Sequence, residues 1–184
     1  MSMFTIHTMK TAPAASRPIL EKVKAGFGFI PNLLGGMSES PALADAYMTM
    51  SQIMAKTAFT TQERHVVWFT INEFHNCHYC MAAHTAGAKR DKVADHVIET
   101  ARAGASYDDG RLEALRVFTL EMLQERGWVN DTAIETFLKA GFSKAHVLDV
   151  IVAISHKTLS NYTNHILQTP VDDVFESFSW QKAS

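Results

Sequence analysis

The stretch Ser143-Lys144-Ala145-His146-Val147-Leu148-Asp149-Val150-Ile151-Val152-Ala153-Ile154 decides the fold. Its β-branched content suits a buried parallel strand. Its length, and Ser143 at the capping position, suit a helix that is apolar on nearly every side. A parallel strand needs partners, and no segment of alternating apolar and polar residues elsewhere in the chain supplies one. The stretch is therefore predicted to be a central, buried helix, and the chain all-α.

The rest of the sequence agrees with that choice. Ser40-Pro41 reads as an N-cap and first helical position, followed by Leu43, Tyr47, Met50 and Met54 at helical spacing. Thr60-Thr61-Gln62-Glu63 has the capping-box pattern and opens a second helix through Val66, Val67 and Ile71. Leu112, Leu115, Phe118 and Met122 share a face of a third, which opens near Asp108-Asp109-Gly110 and stops at Gly127. A shorter helix from about Asn130 to Gly141 turns Ile134, Phe137 and Leu138 inward. Each of the five prolines lies beside a periodic segment and none inside one. With no linker-like stretch, residues 1–184 are expected to form one helical domain, the first sixteen residues loosely held.

Composition narrows the function. A chain of 184 residues with 47% hydrophobic content can bury a core, and 17 Lys plus Arg against 19 Asp plus Glu give no field to hold nucleic acid or anionic lipid. No apolar run is long enough for a bilayer span, and Met1 to Ser16 does not read as a secretory signal. The expected setting is the reducing cytoplasm, where two cysteines serve metal or redox chemistry better than a disulfide framework.

Sliding the sequence on itself by 81 positions sets His65, His75 and His84 on His146, His156 and His165. Chance and a duplicated helical hairpin remain equally open readings of this offset. Ala82, Ala83, Ala86 and Gly87 predict close approach of another helix, expected to be the one after Ser143.

Chemistry concentrates in Asn76-Cys77-His78-Tyr79-Cys80-Met81-Ala82-Ala83-His84. With Asn76 as a cap, Cys77 falls in the first turn of a new helix and Cys80 just behind it, where free N–H groups and the helix dipole favour a thiolate. Spacings of three and four place Cys77, Cys80 and His84 on one face, so that His84 is expected to exchange a proton with Cys80. A sulfenic acid formed on one sulfur would condense with the other, and an external dithiol would reopen the disulfide. Two other readings stand beside this one: half a zinc site completed by His75, His78 or His84, and a pair of inert buried thiols.

Cys77-x-x-Cys80-x-x-x-His84 resembles the signature of the AhpD-like alkylhydroperoxidase and carboxymuconolactone decarboxylase superfamily. Gly28-Phe29-Ile30-Pro31-Asn32-Leu33 and Leu159-Ser160-Asn161-Tyr162-Thr163-Asn164-His165, with Thr169-Pro170, resemble further stretches of the same family, so the likeness spans nearly the whole chain. It implies an all-helical AhpD-like bundle, assembly into trimers or hexamers, and no bound organic cofactor or metal. It also implies that Cys80 attacks, Cys77 resolves and His84 relays protons. The family's relay glutamate falls on His65, and a second relay histidine on Tyr79. Glu63, one helical step from His65, is favoured as the substitute acid over Glu73. His65 itself can relay, and Tyr79 fits as a hydroxyl donor near the sulfur.

The resulting expectation is a thiol-dependent hydroperoxide reductase acting on a small hydroperoxide with an external dithiol. The alternatives are a non-catalytic redox sensor or metal-binding module, and a decarboxylase-like or lactone enzyme of the same superfamily that ignores the thiols.

Overall fold

The structure is a computed structural model and describes residues 3–182. Nine α-helices follow one another without a strand among the described residues: α1 (Arg17–Phe27), α2 (Asn32–Met37), α3 (Pro41–Met54), α4 (Thr61–Phe74), α5 (His78–Arg90), α6 (Asp95–Arg102), α7 (Gly110–Gln124), α8 (Asp131–Lys139) and α9 (Lys144–Leu167). Short 3-10 turns at Ala14–Ser16 and Asp173–Phe178 complete the set. The fold is the expected all-helical one.

Sequence cues set the helix starts. The Ser40 side chain accepts from Leu43 N–H and Asn130 from Ala133 N–H; Thr60 and Glu63 close a reciprocal capping box, each satisfying a donor that the first turn leaves free. Helix α4 is the hub, packing on α5, α6, α7 and α9. One core gathers Val66, Val67, Phe69 and Ile71 of α4 with Leu115 and Phe118 of α7 and Phe137 of α8. Within it the Phe118, Phe137 and Phe142 rings stack at centroid spacings of 4.3 and 4.2 Å. A second core joins α1, α2 and Ala44 of α3 to Cys77, Tyr79 and Cys80.

Four expectations change. The helix after Ser143 is central on one side only: Val150 and Ala153 are buried, but Leu148 is 63% and Ile151 47% exposed. The 81-residue offset does not yield a second hairpin, because α9 runs unbroken for 24 residues where the first half has α4, a turn and α5. The small residues of α5 meet α9 as expected but pack more extensively on α4, where a Cβ added at Gly87 would lie 3.7 Å from Cε1 of His65. The opening segment is anchored: His7 N–H donates to Gly35 O, His7 bonds Glu39, and Ala12 and Ser16 are buried.

The turn between α4 and α5 positions the sulfurs. Asn76 is left-handed, with φ of 53°. Its N–H donates to Glu73 O and that of Cys77 to Asn72 O, the paired bonds of a Schellman close. Asn76 thus ends α4 instead of capping α5, which makes Cys77 the N-cap of α5 and puts Cys80 in its first turn. Asparagine tolerates this backbone and a β-branched residue does not. Asn76→Val is expected to lower stability by about 1–2 kcal/mol, and Asn76→Gly to leave it nearly unchanged, as read from thermal and urea unfolding.

Candidate active site

Both sulfurs are buried, Cys77 at 1% and Cys80 at 2% exposure, and both are free thiols. Helix α9 faces them with a polar seam at helical spacing: Lys157, Asn161 and Asn164, all buried. Asn161 donates its amide N–H to Cys80 Sγ at 3.0 Å and Asn164 donates to the same sulfur at 3.1 Å. The Asn161 amide also reaches Asn72 Oδ1 of α4 at 3.0 Å. Turning either amide over would set an oxygen against the sulfur, so the seam is oriented to meet negative charge at Cys80.

The two thiols are driven apart. Burial works against an anion at Cys80, yet the Cys77 thiol donating to it, the Lys157 ammonium and the two asparagine amides together hold it well below the usual thiol range. Cys77, which donates to Cys80 and is itself buried, is pushed far up. Tyr47 of α3 senses the same negative charge: burial, then Cys80 and Cys77, raise its phenol. Its ring stacks on His156, whose Nε2 bonds Ser51 at 2.9 Å.

Lys157 is completely buried, and its Nζ lies 2.8 Å from His84 Nε2. An ammonium has donors only, so His84 Nε2 must accept, which puts the proton of a neutral ring on Nδ1. Burial of the ring, followed by the Lys157 charge, lowers His84 well below the ordinary histidine range and keeps it neutral. Its Nε2 is committed to Lys157, so the direct exchange with Cys80 expected from the spacing gives way to an arrangement in which Lys157 and the asparagines address the sulfur and His84 addresses Lys157.

The other candidates divide. His65 lies across from His84 with ring centroids 6.5 Å apart, and its Nε2 bonds Asp91 Oδ2 at 3.0 Å. Burial lowers His65 against the opposing pull of Asp91. Glu63 does not reach this group. One of its carboxylate oxygens takes Thr60 N–H and the other takes Arg111 Nε at 2.7 Å, which makes it a helix-capping and ion-pairing residue instead of a relay acid. Glu73 pairs with Lys182. The Tyr79 hydroxyl points away from the sulfurs and donates to Asp172 at 2.5 Å, while Asp172 also receives Asn32 N–H; this tyrosine fastens the C-terminal segment to α2 and α5. Of the histidines considered for a zinc site, His78 Nδ1 donates to Trp180 O and His84 Nε2 is held by Lys157, whereas His75 packs edge-on against Tyr162 with its Nε2 unpaired; no cluster of three or more His, Cys, Asp or Glu side chains able to hold a metal forms among the described residues.

Sequence reasoning missed Lys157, Asn161 and Asn164 as sulfur-facing groups. The signal was a Lys, Asn, Asn stripe at i, i+4 and i+7, just beyond the stretch read as apolar on nearly every side. A cleft of about 740 Å³ on the adjoining face of α9, lined by His75, Ile151, Ile154 and Tyr162 among others, includes neither cysteine.

Comparisons with known proteins agree with this architecture. Residues 41–120 match the family model described as "Carboxymuconolactone decarboxylase family". No curated protein matches the chain. Among solved structures, an AhpD-core, peroxidase-related protein from Ralstonia eutropha JMP134 is 22% identical, with 95% of this chain and 94% of that one covered and a TM-score of 0.78. A peroxidase-related protein from Silicibacter sp. TM1040 is 15% identical over 94% of this chain and 92% of its own, also with a TM-score of 0.78. The debrominase Bmp8, in a cysteine-to-alanine variant complexed with 2,3,4-tribromopyrrole, is 15% identical over 97% and 96% of the two chains, with a TM-score of 0.78. At such identities the likeness establishes the fold. Residues 41–120, which hold helices α3 to α6, the Cys77/Cys80 pair and most of α7, are thus similar to the carboxymuconolactone decarboxylase family, and the chain as a whole has the AhpD-like helical fold.

Proposed function

We propose that the protein is an oxidoreductase that reduces a small hydroperoxide with Cys80 as nucleophile, Cys77 as resolving thiol and an external dithiol as reductant. The observation that carries this reading is the pair of asparagine amides on Cys80 Sγ, beside a Cys77 thiol that keeps its proton. A sulfur stabilised as an anion is a nucleophile at neutral pH, and a neighbouring thiol is the group that resolves its oxidised form.

Cys80 Sγ attacks the outer oxygen of the hydroperoxide; an S–O bond forms, the O–O bond breaks, and the leaving alkoxide takes a proton to become the alcohol. Cys77 then attacks the Cys80 sulfenic acid, the S–S bond forms, and the departing hydroxide leaves as water with the Cys77 proton. His84 and the His65–Asp91 pair form the proton-handling side of the site, Asp91 supplying a carboxylate to it through His65. With both sulfurs buried, the acceptor is small or enters as the helices part. Assembly into a homo-oligomer would cover Leu148, Ile151, Tyr162 and Ile166 on the outer face of α9. No helix among the described residues is long and apolar enough to cross a membrane.

A second electrophile class is favoured by the debrominase among the structural relatives. Cys80 would take bromine from an aryl bromide while the ring carbon takes a proton, and Cys77 would displace bromide to give the same disulfide.

With excess dithiol, sustained peroxide consumption that disappears in Cys80→Ser is expected, together with an intact-mass loss of about two hydrogens on oxidation. A single turnover with that mass change would indicate a redox sensor, and activity surviving Cys80→Ser would overturn the thiol mechanism. Acting on the same parts, Asn161→Ala or Asn164→Ala removes one hydrogen bond worth about 1 kcal/mol to the charged form, and should raise the pH midpoint of Cys80 alkylation by somewhat under one unit. Because the folded-state value is depressed, wild-type alkylation should hold its rate as pH falls through neutrality and decline only in acid, whereas Cys77 stays unreactive throughout; a midpoint unchanged in both variants would remove the amides from the mechanism.

A further inference from the structure

We propose that Lys157 is the counter-ion of the reduced sulfur pair and gives up its proton when the pair is oxidised, so that the two buried charges appear and vanish together. This rests on the thiol reading of the site but not on peroxide as the substrate.

Lys157 is 0% exposed, in the middle of α9, and no carboxylate among the described residues lies within ion-pair distance of it. Its one hydrogen-bond partner, His84 Nε2, is uncharged. The titratable groups that its charge acts on are His75 at the end of α4, Cys77 at the head of α5, Cys80 and His84 within α5, and His156 beside it on α9; Tyr47 of α3 stacks on His156, and His65 of α4 lies across from His84. Helix α2 contributes no titratable side chain, and in α7 Glu113 and Arg116 pair with each other. The Lys157 charge pushes His75, His84 and His156 toward their neutral forms and favours the anion at Cys80, which leaves Cys80 as the sole candidate anion for it.

A charge sealed away from water is tolerated when it is paired and is costly when it is not. Oxidation to a Cys77–Cys80 disulfide consumes the thiolate. A retained ammonium would then face three neutral imidazoles and a neutral disulfide, and a lysine in such surroundings sheds its proton. His84 Nε2, 2.8 Å away, is the acceptor in place to carry that proton off.

In reduction by a dithiol, the protein S–S bond breaks and the dithiol closes to its own disulfide; its two thiol protons pass to Cys77 and Lys157, leaving Cys77–SH, Cys80–S⁻ and Lys157–NH₃⁺. No proton is exchanged with solvent. Had Lys157 remained charged throughout, each reduction would release one proton to solvent.

The two cases separate in the equilibrium between the full-length protein and dithiothreitol at pH 6 to 7.5, where the reference thiols stay protonated, with the ultraviolet absorbance of the thiolate recorded on the reduced protein. Wild type should show the thiolate band and an equilibrium constant that does not move with pH. Lys157→Arg keeps the charge but cannot deprotonate; it should keep the band and favour the oxidised form tenfold more for each unit fall in pH. Lys157→Met should lose the band. A wild-type constant that changes tenfold per pH unit with the band present would overturn the proposal, as would a reduced wild type with no band. If either variant fails to fold, the wild-type constant still decides. Because dithiothreitol alone is used, lack of peroxide turnover would sink the peroxidase reading without touching this one.

Discussion

Everything in the site depends on keeping charge at a buried sulfur. Cys80 lies where water does not reach, and desolvation is the largest single influence on it, acting against ionisation. What outweighs that penalty comes from two helices: a thiol at the head of α5, and on α9 an ammonium halfway along and two amides one and two turns further on. None of these is individually strong, and an amide bond to sulfur is weaker than one to oxygen. Their sum is effective because the enclosure that makes the anion expensive also strengthens every interaction directed at it.

This requirement accounts for parts of the fold remote from sulfur chemistry. The left-handed close at Asn76 ends one helix and starts the next within a single turn, which is how a cysteine becomes an N-cap and its partner a first-turn residue. Tyr79 and Asp172 bind the C-terminal segment across α2 and α5, and Arg102 reaches Phe178 O and Ser179 O from α6. That strap covers the outer side of α5. On the inner side, Asn72 of α4 fixes the Asn161 amide that addresses the sulfur. The pocket is therefore held on both sides by hydrogen bonds between segments distant in sequence.

The helices were legible because their signals are local. Ser40-Pro41, the Thr60 and Glu63 box and the Asn130 cap each act within a few residues, and the structure uses them as the sequence indicates. The cysteine pair and its nearby histidine were legible for the same reason. What surrounds them was not, since Lys157, Asn161 and Asn164 meet Cys80 across more than 75 residues of chain and a sequence shows only their spacing along α9. Glu63 and Tyr79 misled in the opposite direction. Both lie close to the motif in sequence, but a capping box and a distant aspartate claimed them, because an unsatisfied helix N–H and a buried phenol each require a partner.

The identity of residue 65 has a physical consequence for the site. His65 lies one imidazole away from Lys157 through His84. A carboxylate there would be a second anion competing with Cys80 for the single buried ammonium. A histidine held neutral by burial does not compete, and its link to Asp91 keeps a carboxylate at the edge of the site, where that carboxylate is shared with Arg90. A neutral imidazole at position 65 and the ammonium of Lys157 are thus two sides of one arrangement, in which the positive charge is reserved for the sulfur.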